Sequence, residues 1–143
     1  YYRLAYVYTG NKEDSLDALQ NMIIILFDNM KKLRDAEAFY SWSKTILVNE
    51  CKRILRKRKR EIPVEEKDED SYFENYHGSE IRQDIFTYIK RLNNHQQEAI
   101  KLRYFLDMDY ATIAKITGTS EGTVKSRIFN GLAKLKGLFG GEY

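Results

Sequence analysis

The stretch from Tyr110 to Leu135, YATIAKITGTSEGTVKSRIFNGLAKL, leaves a chain little choice of local structure. Asp109 offers a side-chain acceptor that predicts a helix start, and Gly118 can take the left-handed conformation that ends a helix, so Tyr110 to about Thr117 reads as one short helix. Ser120 predicts the cap of a second. Val124, Ile128, Leu132, Leu135 and Phe139 then recur at three- and four-residue intervals, a single inward stripe. Ala114 before the turn glycine and Val124 after it fit two helices that cross closely, the helix-turn-helix whose second helix enters a DNA major groove. Thr117 and Thr119 stand where apolar residues would pack better.

The outward side of that second helix carries Glu121, Thr123, Lys125, Ser126, Arg127 and Asn130 next to the cap Ser120. These are donors and acceptors suited to base edges and phosphates. A solvated amphipathic face carries similar residues one at a time. Their register with the alanine, the glycine, the cap and the valine is what points to DNA.

Charge is segregated along the chain. A net charge of only +3 over 143 residues conceals the stretch Lys52 to Arg60, in which seven of nine residues are basic. Mutual repulsion on that scale calls for a polyanion, and nucleic acid is the natural one. Phe39, Tyr40 and Trp42 lie one to three turns upstream, an aromatic and basic combination that suits single-stranded DNA because bases stack on rings while phosphates follow the charges. From Glu61 to Glu80 the chain turns acidic, with eight carboxylates, one lysine and the only proline. That segment reads as a flexible linker between two helical domains, with the boundaries 1–60, 61–79 and 80–143.

The remaining elements read as helices. Tyr1 to Tyr8 is followed by a stop at Gly10 and a new start at Asn11. A long helix follows with an inner stripe of Leu16, Leu19, Ile23, Leu26, Phe27 and Met30, and a polar side of Asp14, Asp17, Gln20, Asn21 and Asp28. Lys31 to Ala38 reads as a loop, with Asp35 capping a helix from about Ala36 to Lys59 packed through Phe39, Trp42, Ile46, Ile54 and Leu55. In the second half Ile81, Ile85, Ile89 and Leu92 mark one helix. Asn94 with Gln97 resembles a capping box for the next, about His95 to Leu106. The fold class is all-α.

Chemistry of an enzymatic kind is not expected. His77, His95 and Cys51 cannot supply a zinc site of usual spacing, and no glycine-rich phosphate loop follows a strand. No cofactor and no small-molecule substrate are implied. A single cysteine excludes an internal disulfide, so a reducing cytoplasm and a buried apolar role for Cys51 are expected. The longest apolar run, Met22 to Phe27, is far shorter than the roughly 20 residues of a membrane span, and no direct membrane insertion is expected. The chain opens on Tyr1, inside an amphipathic helix, so residues upstream of it are also expected.

These residues carry a family resemblance. YRLAYVYTGNKEDSLDALQ through FYSWSKTILVNECKRILRKRKR resembles the second conserved region of bacterial RNA polymerase sigma factors of the sigma-70 family. IKRLNNHQQEAIKLRYFLDMDYATIAKITGTSEGTVKSRIFNGLAKLK is similar to their fourth region. With a short acidic linker between them, the chain resembles the compact extracytoplasmic-function group.

The resemblance implies a factor that binds core RNA polymerase and directs promoter-specific initiation, the upstream residues being the first helix of region two. It implies docking on the β′ coiled coil through Asp17, Gln20 and Asn21. The melted minus-ten strand would be held by the loop Lys32 to Ala38 with Phe39, Trp42, Lys44, Asn49, Lys52, Arg53 and Arg56. The duplex minus-thirty-five element would be read by Ser120, Glu121, Thr123, Lys125, Ser126 and Arg127, while another face of region four meets the β flap. The linker would thread the polymerase cleft, and an anti-sigma factor, often membrane-anchored, would hold the chain inactive. Two alternatives stay open at this point: a helix-turn-helix regulator that binds duplex DNA without polymerase, and a fragment of a site-specific recombinase.

Overall fold

The computed structural model describes residues 1–61, 85 and 87–140. The chain divides into two compact units, Tyr1–Asn75 and Tyr76–Tyr143. Every regular element among the described residues is helical. The linker expected at 61–79 lies outside the described residues except for Glu61, as does Ile81.

The first unit packs α1 (Tyr2–Thr9), α2 (Lys12–Asn29) and α3 (Phe39–Glu61) against one another. Gly10 ends α1 at φ 73°, its N–H donating to the Tyr6 carbonyl. Asn11 then starts α2, its side chain accepting from the Asp14 N–H at 2.8 Å. Ala5 and Ala18 are fully buried, and residues this small let the helices approach closely around Leu4, Met22, Leu26, Leu47, Val48 and Cys51. Thr9 and Ser15 are buried too, and their hydroxyls satisfy each other at 2.6 Å.

Two expected stripes are rotated. On α2 the buried line is Ser15, Ala18, Met22 and Leu26, with Leu19 half-buried, whereas Leu16, Ile23, Phe27 and Met30 face solvent. Asp14, assigned to the polar side, is 5% exposed. Small and polar residues form the actual core line here, and a hydrophobicity pattern cannot rank them above larger apolar neighbours. On α3 the buried line is Ser43, Leu47, Val48 and Cys51, and the five residues of the expected stripe are all half-buried. The loop before α3 is partly helical, with 3-10 turns at Met30–Lys32 and Ala36–Ala38. Asp35 does cap there, accepting from the Glu37 N–H at 2.9 Å.

Among the described residues the second unit has helical residues at 85 and 87–89, then α4 (Asn94–Ile100), a π-helical turn (Lys101–Phe105), α5 (Tyr110–Thr117) and α6 (Glu121–Gly140). The capping box is one residue earlier than expected. Asn93 accepts from the Gln96 N–H and the Gln96 side chain accepts from the Asn93 N–H. Gln97 instead donates to the Leu92 carbonyl at 2.8 Å. Around these elements Ile89, Leu92, Ile100, Leu102, Met108, Ile113, Ile116, Val124 and Ile128 form the core.

On α6 the expected Leu132 is 40% exposed, and Gly131 is buried in its place. A Cβ on Gly131 would lie 2.7 Å from the Ile100 side chain and 3.4 Å from that of Gln96. The glycine is the notch that lets α6 seat on α4.

Candidate nucleic-acid interface

The helix-turn-helix forms from the residues that predict it. Asp109 caps α5 by accepting from the Thr112 N–H at 2.7 Å, and its carboxyl is held below the usual range by its bonds to Thr112, with smaller help from Arg103 and Lys115. Gly118 ends α5 at φ 67°, a conformation costly for any residue with a Cβ. Ser120 accepts from the Thr123 N–H at 3.1 Å and so caps α6. The two threonines of the turn also find partners. Thr117 donates to the Ile113 carbonyl at 2.7 Å and lies 3.0 Å from the Thr119 hydroxyl, so the corner closes on a polar contact at positions where apolar residues would pack better.

On the outer side of α6, Glu121, Lys125, Ser126 and Asn130 are exposed, and Thr123 and Arg127 are half-buried. Ser120 and Thr123 share a hydroxyl contact at 3.0 Å. At about 100° per residue, Lys125 and Arg127 lie on opposite flanks, each about 100° round the helix from Ser126. Phe129 was missed by sequence reasoning. It is 73% exposed, one turn beyond Lys125 and Ser126, and it could have been found as the apolar residue of α6 that fits no inward stripe.

In the first unit, α3 sorts its cationic and aromatic residues by face. Trp42, Asn49, Arg53, Arg56 and Arg60 follow one another at intervals of seven, four, three and four, so they share a stripe, and the line of Ser43, Leu47 and Cys51 lies on the other side. Asn49, Arg53, Arg56 and Arg60 are exposed and Trp42 is half-buried. Lys44 does not join them. It is half-buried and turned roughly 160° from Trp42 about the helix axis. Phe39 is half-buried and meets Tyr40 edge-on at 5.9 Å, and Tyr40 is the more exposed ring at 64%. Lys52 lies 5.8 Å from the centre of the Tyr8 ring.

The basic segment needs a polyanion less than its composition suggests. Glu50 pairs with Arg53 at 2.9 Å, and Asp14 pairs with Arg58 at 2.9 Å. Arg58 sits on the inward side of α3, where it ties the helix to α2.

On α2, Asp17 and Gln20 are exposed and Asn21 is half-buried. Around the first two, on the same solvent side, lie Leu16, Ile23, Ile24 and Phe27, of which Phe27 is 83% exposed. Among the described residues no group of His, Cys, Asp and Glu could hold a metal ion. Among them, too, no helix is long and apolar enough to cross a membrane.

A helical chain of two units, one carrying a helix-turn-helix and the other a helix face of aromatic and cationic residues, has the architecture of a DNA-binding protein. Comparison with known proteins narrows that class. The family model described as Sigma-70 region 2 matches residues 1–61, and that described as Sigma-70, region 4 matches residues 82–135. The RNA polymerase sigma factor SigV of Bacillus subtilis (strain 168) is 29% identical over 136 residues, covering 95% of this chain and 82% of that protein. The ECF RNA polymerase sigma-E factor of Haemophilus influenzae is 30% identical over 134 residues, covering 83% of this chain and 71% of that protein. The chain belongs to the sigma-70 family, in its extracytoplasmic-function group, and is an RNA polymerase sigma factor.

The fold agrees. The sigma factor RpoE of Bartonella quintana, solved with the anti-sigma factor NepR, superposes with a TM-score of 0.68 at 23% identity, covering 96% of this chain and 88% of that one. CnrH, solved with the cytosolic domain of CnrY, gives 0.64 at 18% identity, with 99% and 81% covered.

Proposed function

We propose that this sigma factor docks on the β′ coiled coil of core RNA polymerase through the outward side of α2. It then reads the duplex minus-thirty-five element with the first half of α6, and holds the opened minus-ten strand on the Trp42 to Arg56 face of α3. The observation that carries this reading is the solvent-facing apolar set Leu16, Ile23, Ile24 and Phe27 around Asp17 and Gln20. Burying a fully exposed side chain of this kind is worth about 1.5–3 kcal/mol, and these four, 46% to 83% exposed, have roughly half of that or more still to gain, so the contiguous group has the character of a docking surface. Asp17, Gln20 and Asn21 supply its polar contacts.

The division of labour follows from the chemistry of each face. Exposed donors on α6 suit the edges of paired bases, and Trp42 with Asn49, Arg53 and Arg56 suits unstacked bases and their phosphates. Lys44 is the weakest member of the minus-ten set, because it points away from the rest. Unstacking costs a few kcal/mol per base, which polymerase contacts offset, so the chain acts as part of a holoenzyme and catalyses nothing itself. It works in the cytoplasm. Regulation by an anti-sigma factor is supported by one similar structure, that of the sigma factor RpoE, which was solved with the anti-sigma factor NepR.

The test uses holoenzyme on a promoter. Arg127→Ala should weaken binding to the upstream duplex by about 1–3 kcal/mol. Asn49→Ala should leave duplex binding intact and impair opening, read by permanganate reactivity of unpaired thymines. Identical defects in both assays would contradict the division.

A further inference from the structure

The corner that leads into α5 has two departures from regular backbone: the π-helical turn Lys101–Phe105, and Asp107 in the left-handed region at φ 52°. Such turns cluster at functional sites, and a left-handed non-glycine residue is uncommon. Arg103 ties the corner together, its Nη1 donating to the Met108 carbonyl at 3.0 Å. Its guanidinium carbon lies 4.6 Å from the centre of the Tyr110 ring. The Nζ of Lys125, reaching back from α6, lies 5.4 Å from the same centre. One ring on the helix-turn-helix surface is therefore shared by two cations from two different elements.

Each cation is attracted by the ring and repelled by the other, so the cluster is suited to receiving an anion. The neighbouring Asp109 carboxylate feels the Arg103 charge but is committed to capping α5 through the Thr112 N–H, so the two cations and this one anion still leave a net positive charge beside the ring. We propose that Tyr110 is a positioning residue that holds Lys125 toward α5, so that Lys125 and Arg103 grip a backbone phosphate of the duplex and Lys125 reads no base edge. This rests on the duplex-reading role of α6 proposed above. A lysine is a point charge on a flexible stem and would otherwise sample the groove freely. Resting on Tyr110, it points to the helix that crosses the sugar-phosphate backbone in this type of docking. That leaves Ser126 and Arg127, on the outward side and the far flank, to face the bases.

The test is a salt titration of holoenzyme binding to a promoter duplex and to the same duplex with a scrambled upstream element. Variants are Tyr110→Leu, Tyr110→Phe and Lys125→Gln. Lys125→Gln and Tyr110→Leu should each weaken binding to both duplexes by a similar factor, about three- to tenfold at low salt, and reduce the salt slope by about one. Tyr110→Phe keeps the ring and should keep the wild-type slope. Adding Tyr110→Leu to Lys125→Gln should change the slope no further. A wild-type slope for Lys125→Gln, or a loss confined to the unscrambled duplex, overturns the proposal whether or not the leucine variant folds. A wild-type holoenzyme that binds both duplexes alike removes the premise as well, and is told apart by needing no variant.

Discussion

Asp14, buried at the start of α2, holds the Arg58 guanidinium of α3 at 2.9 Å, while the arginine side chain itself remains 45% exposed. The Asn11 side chain donates to the same carboxylate at 3.0 Å, so helix start and ion pair are one assembly. The pair removes Arg58 from the cationic face and gives it a structural task.

Arg58→Met leaves a buried carboxylate with one neutral donor, and should cost about 1.5–3 kcal/mol in the first unit. Urea unfolding followed by Trp42, the only tryptophan, reads that unit directly. Asp14→Asn in the Arg58→Met background should recover part of the loss. The salt slope for non-specific DNA binding should fall for Lys57→Gln and Lys59→Gln and not for Arg58→Met.

Two glycines of α6 should respond in opposite ways. A Cβ on Gly137 meets nothing within 4 Å, so Gly137→Ala should stabilise the second unit by about 0.5–1 kcal/mol through helix propensity. Gly131→Val should destabilise it by about 1–3 kcal/mol, because the larger side chain is driven into Ile100 and Gln96. Thermal melts of the two variants check both signs.

Cys51 is fully buried, and burial, with Glu50 next to it, pushes its thiol up to about 12 from an ordinary 9.0. A raised folded value means that this contribution to stability is complete below the unfolded value and is lost as pH rises from about 9 to about 12. Stability of the first unit should therefore fall less steeply over that window in Cys51→Ala than in the wild type. At neutral pH the native thiol should react with a disulfide reagent only as fast as the unit opens.

Asp109 has the opposite sign. Its carboxyl is held below 3.8, chiefly by Thr112, so its contribution is present above the unfolded value and disappears as pH falls through the folded one. Asp109→Asn retains a cap acceptor and should flatten the acid limb of the second unit's stability. Asp109→Ala should cost about 1 kcal/mol at neutral pH. Circular dichroism across an acid series separates the two.

What the sequence made legible was what local chemistry decides. The caps Asn11, Asp35, Asp109 and Ser120 and the stops Gly10 and Gly118 act within a few residues of themselves, and all sit as expected. Faces were harder. On α2 the larger apolar residues Leu16, Ile23 and Phe27 were assigned inward, yet the core line there is Ser15, Ala18, Met22 and Leu26. A helix with apolar residues on both sides has no unique inward stripe, and the side left over is the one that a partner would cover. Ion pairing between distant elements was invisible as well. Nothing near Asp14 in sequence announces Arg58, and nothing near Lys125 announces Tyr110 as its support.

The most direct test is to mix the chain with core RNA polymerase and assay initiation from a promoter in competition with random DNA. Complex formation and promoter-specific transcripts are expected, and Phe27→Asp should abolish both while Trp42 fluorescence stays native. Polymerase that neither binds the wild-type chain nor gains promoter selectivity from it would contradict the proposed mechanism.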